Sequence, residues 1–188
     1  MGRLIFILGG ARSGKSGYAQ ELAKAEAERF GKGVLYVATA TARDEEMARR
    51  VAHHRHSRPS GWRTVEEPHR VSRVIQGVDA DSGALIVDCL TLLLSNILFD
   101  QRVGHPRVEG REQEKEQAVM EEIERILQAA HGCPATVILV SNEVGQGVVP
   151  PTAAGRLFRD VAGRIHQRIA REAQEVYFLI AGLPQRLK

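Results

Sequence analysis

Short, continuous apolar runs alternate with longer amphipathic stretches along this chain. Residues 4–8 are apolar at every position and lead straight into a glycine-rich turn, the pattern of a strand covered on both faces. The period then changes. Ala19, Leu22, Ala23, Ala27 and Phe30 fall on one helical stripe across residues 16–30, and Gly31-Lys32-Gly33 ends it. Residues 34–38, 84–87, 136–140 and 176–180 supply four more apolar runs that predict strands, the last closed by Gly182 and Pro184.

The segments between them predict helices and loops. Thr41-Ala42-Arg43-Asp44 has the spacing of a helix-starting box, and Pro59 sets the limit of that helix at about His56 or Ser57. Residues 91–99 are apolar nearly all round if helical, which places them in the core or against another subunit. Residues 100–110 are polar and read as an exposed loop. Residues 112–130 form a charged amphipathic helix with Val119, Ile123, Ile126 and Leu127 inward, stopped by His131-Gly132-Cys133-Pro134. Residues 145–154 read as a loop and 156–172 as a helix. Strand and helix alternate throughout, so the expected fold is α/β with a mainly parallel sheet, in one domain spanning 1–188.

Composition narrows the function classes. Hydrophobic residues make up 43% and charged residues 26%, the balance expected of an ordinary soluble globular protein. Aromatic residues are 5% and the net charge is +3, which argues against a nucleic-acid partner. The first apolar run is too short to span a bilayer and has no cleavage pattern behind it, so a cytoplasmic protein is expected. Cys89 and Cys133 lie in no CxxC pair and are expected as two half-buried thiols.

The strongest chemical signal is Gly9-Gly10-Ala11-Arg12-Ser13-Gly14-Lys15-Ser16, a full nucleoside-triphosphate loop placed between a strand and a helix. Glycines let consecutive backbone N–H groups face a phosphate, and the following helix adds positive potential. Lys15 is expected on the β- and γ-phosphates and the Ser16 hydroxyl on Mg²⁺. Asp88, at the end of an apolar strand, is the candidate carboxylate for that metal, with Glu143 as the alternative.

A second cluster lies at Arg49, Arg50, His53, His54, Arg55, His56, Arg58 and Arg63. It suits polyphosphate binding, and a neutral imidazole there can act as a nucleophile. The same residues also suit a solvated basic face, a metal pair at His53 and His56, or a packing histidine at His54, which shares a stripe with Met47 and Val51. A RecA-like ATPase and another small-molecule kinase remain compatible with the phosphate loop.

Several segments together resemble the bifunctional adenosylcobinamide kinase / adenosylcobinamide-phosphate guanylyltransferase family: GGARSGKS at 9–16, VLYVATA at 34–40, the HHxxxRPxxWxTxE arrangement within 44–68, LIVDCLT at 85–91, SNEVGQGVVP at 141–150 and RDVAGRIHQRIA at 159–170. The resemblance implies a RecA-like P-loop fold assembled as a homotrimer. It implies ATP or GTP as phosphoryl donor, a corrinoid substrate, and GMP transfer from GTP through a histidine. The guanylylated histidine matches His54. Gly9 to Ser16, Thr41, Ala42, Arg43, Arg55, His56, Ser57, Arg58, Glu66 and Asp88 match nucleotide-binding positions. The chain departs from the family pattern at Leu8, where Thr is common, at Asp88, where Glu is frequent, and at His166, where Asn is common.

Overall fold

The computed structural model describes residues 2–41, 59, 61–99 and 112–188. The predicted helix following Thr41 and the loop at 100–110 lie outside the described residues. The chain order is β1 (Leu4–Gly9), α1 (Lys15–Phe30), β2 (Gly33–Ala38), β3 (Arg63–Glu66), α2 (Val71–Gln76), β4 (Ser82–Asp88) and α3 (Leu90–Phe99). It continues with α4 (Glu112–Gly132), β5 (Thr136–Asn142), α5 (Ala153–Glu172), β6 (Glu175–Ile180) and β7 (Leu183–Arg186).

The strands form one sheet in the order β3-β2-β4-β5-β1-β6-β7. All neighbours are parallel except β6 and β7. Side chains alternate across a strand, so β1 feeds two cores. Leu4, Phe6 and Leu8 pack into the layer that holds buried residues of α3, α4 and α5. Ile5 and Ile7 pack with Ala19, Ala23 and Ala27 of α1. Removing side chains such as Phe6 and Ile7 from water contributes about 1.5–3 kcal/mol each. This double cover is why the apolar runs are continuous rather than alternating.

The five predicted strands are present, with the third and fourth extended to Asp88 and Asn142. Three elements were not legible. β3 is exposed at all four positions and has no apolar run. α2 is six residues long. Residues 183–186 do not merely close the previous element, as expected from Gly182 and Pro184, but return as the antiparallel edge strand β7. Pro184 is tolerated there because β7 pairs on one side only.

α3 resolves the ambiguity of its apolar composition in favour of the core: Leu90, Leu93, Leu94 and Leu98 are buried. α5 begins three residues earlier than expected because the Thr152 hydroxyl accepts a hydrogen bond from the Gly155 N–H. Cys89 and Cys133 are both buried and free, not half-buried as expected.

Candidate nucleotide site

In a parallel sheet the carboxyl ends of the strands gather at one edge, and ligands bind there. β1 delivers Gly9, β2 delivers Ala38, β3 delivers Glu66, β4 delivers Asp88 and β5 delivers Asn142 to that edge. Sequence-predicted residues from 9–16, Glu66 and Asp88 are thereby brought to one rim.

The loop between β1 and α1 is shaped by close backbone contacts. Gly9 has φ +157°, and a Cβ on it would sit 2.6 Å from both the Leu179 carbonyl oxygen and Ser13 Oγ. Gly14 has φ +92° and would bring a Cβ to 3.2 Å from Gly182 Cα. The loop is also braced from outside, since the Gly182 N–H donates to the Ser13 carbonyl at 3.0 Å. On the other side the Glu143 N–H donates to the Gly9 carbonyl at 2.9 Å. Gly14 is the N-cap of α1 and gives no side-chain cap, and the first turn holds no acidic residue, so the helix's positive end is not offset locally.

Lys15 is buried, and its ammonium donates to the Gly10 carbonyl at 2.5 Å and lies 3.4 Å from Ser13 Oγ. Burial holds its pKa below the ordinary lysine value, opposed by Cys89 and by the negative charge of Asp88. Ser16 follows it on α1, half-buried. Asp88 accepts a 2.6 Å hydrogen bond from the Tyr36 hydroxyl. The Asp88–Cys89 peptide is cis.

A polar network lies directly behind Asp88. The Thr39 hydroxyl donates to the Cys89 carbonyl at 2.7 Å and accepts from the Cys89 N–H at 2.8 Å. Cys89 Sγ lies 3.0 Å from Thr91 Oγ1, which accepts from Asn142 Nδ2 at 2.8 Å. Burial lifts the Cys89 thiol to about 11, so it stays protonated at neutral pH. Sequence reasoning missed Tyr36, Thr39, Thr91 and Asn142. Thr39, just past β2, and Asn142, at the end of β5, offered their place at strand ends as a signal, whereas Tyr36 lies within β2 and Thr91 on α3.

Glu143, the alternative metal carboxylate, sits just past β5. Its Oε1 accepts from the Gly145 N–H, and its Oε2 lies 3.8 Å from His166 Nδ1 on α5. His166 Nε2 is 2.8 Å from Ser141 Oγ. Burial lowers the His166 pKa to about 4, against the pull of Glu143. These contacts turn Glu143 toward α5, whereas Asp88 is the carboxylate felt by Lys15.

Of the basic cluster, Arg63 lies among the described residues. It begins β3, where its guanidinium donates to Asp79 at 2.8 and 3.0 Å and to Ser82 at 2.8 Å, toward the opposite end of the sheet. Thr41 is the last described residue before the segment 42–58. Ala42, Arg43, His54, Arg55, His56, Ser57 and Arg58 lie outside the described residues.

A family model described as "Cobinamide kinase / cobinamide phosphate guanyltransferase" matches residues 5–187. The chain belongs to this family. It is 40% identical over 185 residues to the bifunctional adenosylcobalamin biosynthesis protein CobU of Escherichia coli, covering 98% of this chain and 99% of that one. It is 45% identical over 183 residues to the corresponding protein CobP of Pseudomonas aeruginosa, covering 97% and 95%. This match favours the kinase and guanylyltransferase reading over the RecA-like ATPase and small-molecule kinase alternatives.

Among solved structures, an ATPase domain aligns with TM-score 0.55 at 13% identity, covering 95% of this chain and 69% of that one. A KaiC-like protein of Pyrococcus horikoshii aligns with TM-score 0.50 at 13% identity, covering 94% and 70%. These likenesses concern the fold, which is of the RecA-like P-loop type.

Proposed function

We propose that this family member phosphorylates the hydroxyl of adenosylcobinamide with ATP or GTP at the 9–16 loop, and then transfers GMP from GTP to the new phosphate through His54. The observation that carries the reading is the junction of the loop with Lys15 and Asp88 at one sheet edge, in a chain whose family match spans 183 of 188 residues, 5 to 187 inclusive.

In the kinase step the substrate hydroxyl oxygen bonds to the γ-phosphorus as the bridge to the β-phosphate breaks; the nucleoside diphosphate leaves and the hydroxyl proton passes to solvent. Lys15 and the N–H groups of the loop neutralise the charge on the nucleotide, the main demand of phosphoryl transfer. In the second step an imidazole nitrogen of His54 bonds to the α-phosphorus of GTP and pyrophosphate leaves. The substrate phosphate oxygen then attacks that phosphorus and the N–P bond breaks. Arg55 and Arg58 balance charge on the transferring group. Thr41, Ala42, Arg43, His56, Ser57 and Glu66 complete the nucleotide contacts.

The donor set fits Mg²⁺. The Asp88 carboxylate and Ser16 hydroxyl are hard oxygen ligands at the same sheet edge, and Mg²⁺ takes few protein ligands when phosphates supply the rest. When bound, the ion supplies charge neutralisation on the phosphate oxygens. Among the described residues, no group of three or more His, Cys, Asp or Glu residues forms an independent metal cluster. No helix among them is long and apolar enough to cross a membrane. We place the enzyme in the cytoplasm, as a homotrimer, on the family resemblance.

The test is incubation with α-labelled GTP. One GMP per chain, acid-labile and base-stable, is expected on the protein and lost in His54→Ala. Stoichiometric label retained in that variant removes His54 from the reaction.

A further inference from the structure

Asn142 ends β5, the strand that lies between β1, which leads into the phosphate loop, and β4, which carries Asp88. In register it stands opposite Gly9, and Val140, two residues before it, stands opposite Asp88. Side chains at every second position share one face of a sheet. Ile138 and Val140 pack on the face covered by α1, and so do Ala84 and Ile86 ahead of Asp88. Asn142 and Asp88 therefore continue the face to which the first turn of α1 brings Lys15 and Ser16.

The Asn142 amide is held by its nitrogen. Nδ2 donates to Thr91 Oγ1 at 2.8 Å and to Cys89 Sγ at 3.9 Å. Both partners are buried and fixed in turn. Cys89 is hydrogen-bonded to Thr39, and Asn96, on the same helix as Thr91, donates to the Thr39 carbonyl at 2.8 Å. The Lys15 ammonium feels both Asp88 and Cys89, so an amide in contact with Cys89 borders the ground that Lys15 commands. Among the described residues, nothing donates to Asn142 Oδ1, and the side chain is half-buried. An amide oxygen only accepts, so it calls for a donor and not for a phosphate oxygen. With Lys15 and the loop N–H groups engaged on the nucleotide, the donor that the reaction itself brings is the substrate hydroxyl.

We infer that Asn142 is a catalytic residue of the kinase step: its Oδ1 accepts a hydrogen bond from the hydroxyl of adenosylcobinamide and aims the hydroxyl oxygen at the γ-phosphorus. The inference rests on the phosphorylation proposed above. The bond that forms joins that oxygen to the γ-phosphorus, the bridge to the β-phosphate breaks, and the nucleoside diphosphate leaves. A neutral amide takes up no proton, so the hydroxyl proton still passes to solvent. Such a transfer asks little covalent chemistry of the protein, and orienting the nucleophile is what it can supply. Misplacing a reacting group costs rate steeply, on the order of a hundredfold per ångström.

Asn142→Ala removes the oxygen, whereas Thr91→Val loosens the amide and leaves the oxygen in place. Each variant is compared with wild type by steady-state phosphorylation of adenosylcobinamide at saturating ATP, by titration of that rate with Mg²⁺, and by the rise in melting temperature that ATP produces. For Asn142→Ala the expected result is a fall of about tenfold or more in kcat, with the ATP-induced rise kept and the Mg²⁺ half-saturation point unmoved. Thr91→Val is expected to lose distinctly less. Equal losses in the two variants make Asn142 a brace between strand ends and overturn the inference. A lost ATP-induced rise overturns it by assigning the amide to nucleotide binding. A rate restored by added Mg²⁺ overturns it by placing the amide on water held by the metal. Wild-type kcat in Asn142→Ala overturns it with the kinase reading intact. If wild type itself transfers no phosphate to adenosylcobinamide, the kinase reading fails and the role of Asn142 falls with it.

Discussion

The Tyr36 hydroxyl donates a 2.6 Å hydrogen bond to the Asp88 carboxylate across the pairing of β2 with β4. Tyr36 is buried, and the bond fixes the carboxylate where Lys15 feels its charge. On the Mg²⁺ role proposed for Asp88, a buried phenol that orients this carboxylate would tune how well it meets the ion.

Tyr36→Phe is therefore expected to raise the Mg²⁺ concentration needed for half-maximal kinase activity by about 10-fold or more, in the range seen for outer-shell partners of metal ligands. Titration of the two proteins with Mg²⁺ at saturating nucleotide measures the shift. Identical half-saturation points would detach Asp88 from the metal or Tyr36 from Asp88.

Lys15 gives a prediction in which stability and activity part. Its ammonium is desolvated, and a carbonyl and a hydroxyl are its hydrogen-bonding neighbours. Replacing it by an apolar side chain of similar length removes that desolvation cost. Lys15→Met should lose at least about a hundredfold in kinase turnover, as expected when a principal phosphate charge is removed. Its melting temperature without nucleotide should equal or exceed that of wild type, and the rise produced by saturating ATP should vanish. Differential scanning fluorimetry with and without ATP reads both. A melting temperature well below wild type would show that Lys15 holds the loop together rather than waiting for phosphate.

His166 makes stability depend on pH in the acid range. Burial depresses its folded pKa to about 4 from 6.5, so the unfolded chain binds the extra proton between those values. The contribution is complete above pH 6.5 and is lost progressively as pH falls toward 4. Between pH 7 and pH 5 wild type should lose about 1–2 kcal/mol more than His166→Asn, which has nothing to titrate there. Urea unfolding at the two pH values checks this. Equal losses in both proteins would place the buried imidazole's proton elsewhere.

The phosphate loop and the parallel core were legible in the sequence for the same reason: both are local. Residues 4–8 and 136–140 announce strands because both faces are covered, and the loop announces itself because glycine spacing and Lys15-Ser16 are contiguous. β3 was hidden because an exposed edge strand needs no apolar run. The network behind Asp88 was hidden because its members meet only in the fold, Tyr36 and Asp88 across 52 residues and Asn96 and Thr39 across 57. Arg63 pairs with Asp79 across 16 residues, a partner its sequence neighbours did not announce. The helix expected after Thr41, with His54 on it, lies outside the described residues.

The brace from Gly182 to Ser13 has an implication for how the protein is made. The cradle is encoded within the first sixteen residues, yet the group that leans on it is synthesised more than one hundred and sixty residues later. The ribosome adds well over a hundred further residues before the cradle gains that support. Bracing of the cradle is thus tied to the β6–β7 hairpin rather than to the motif's own emergence.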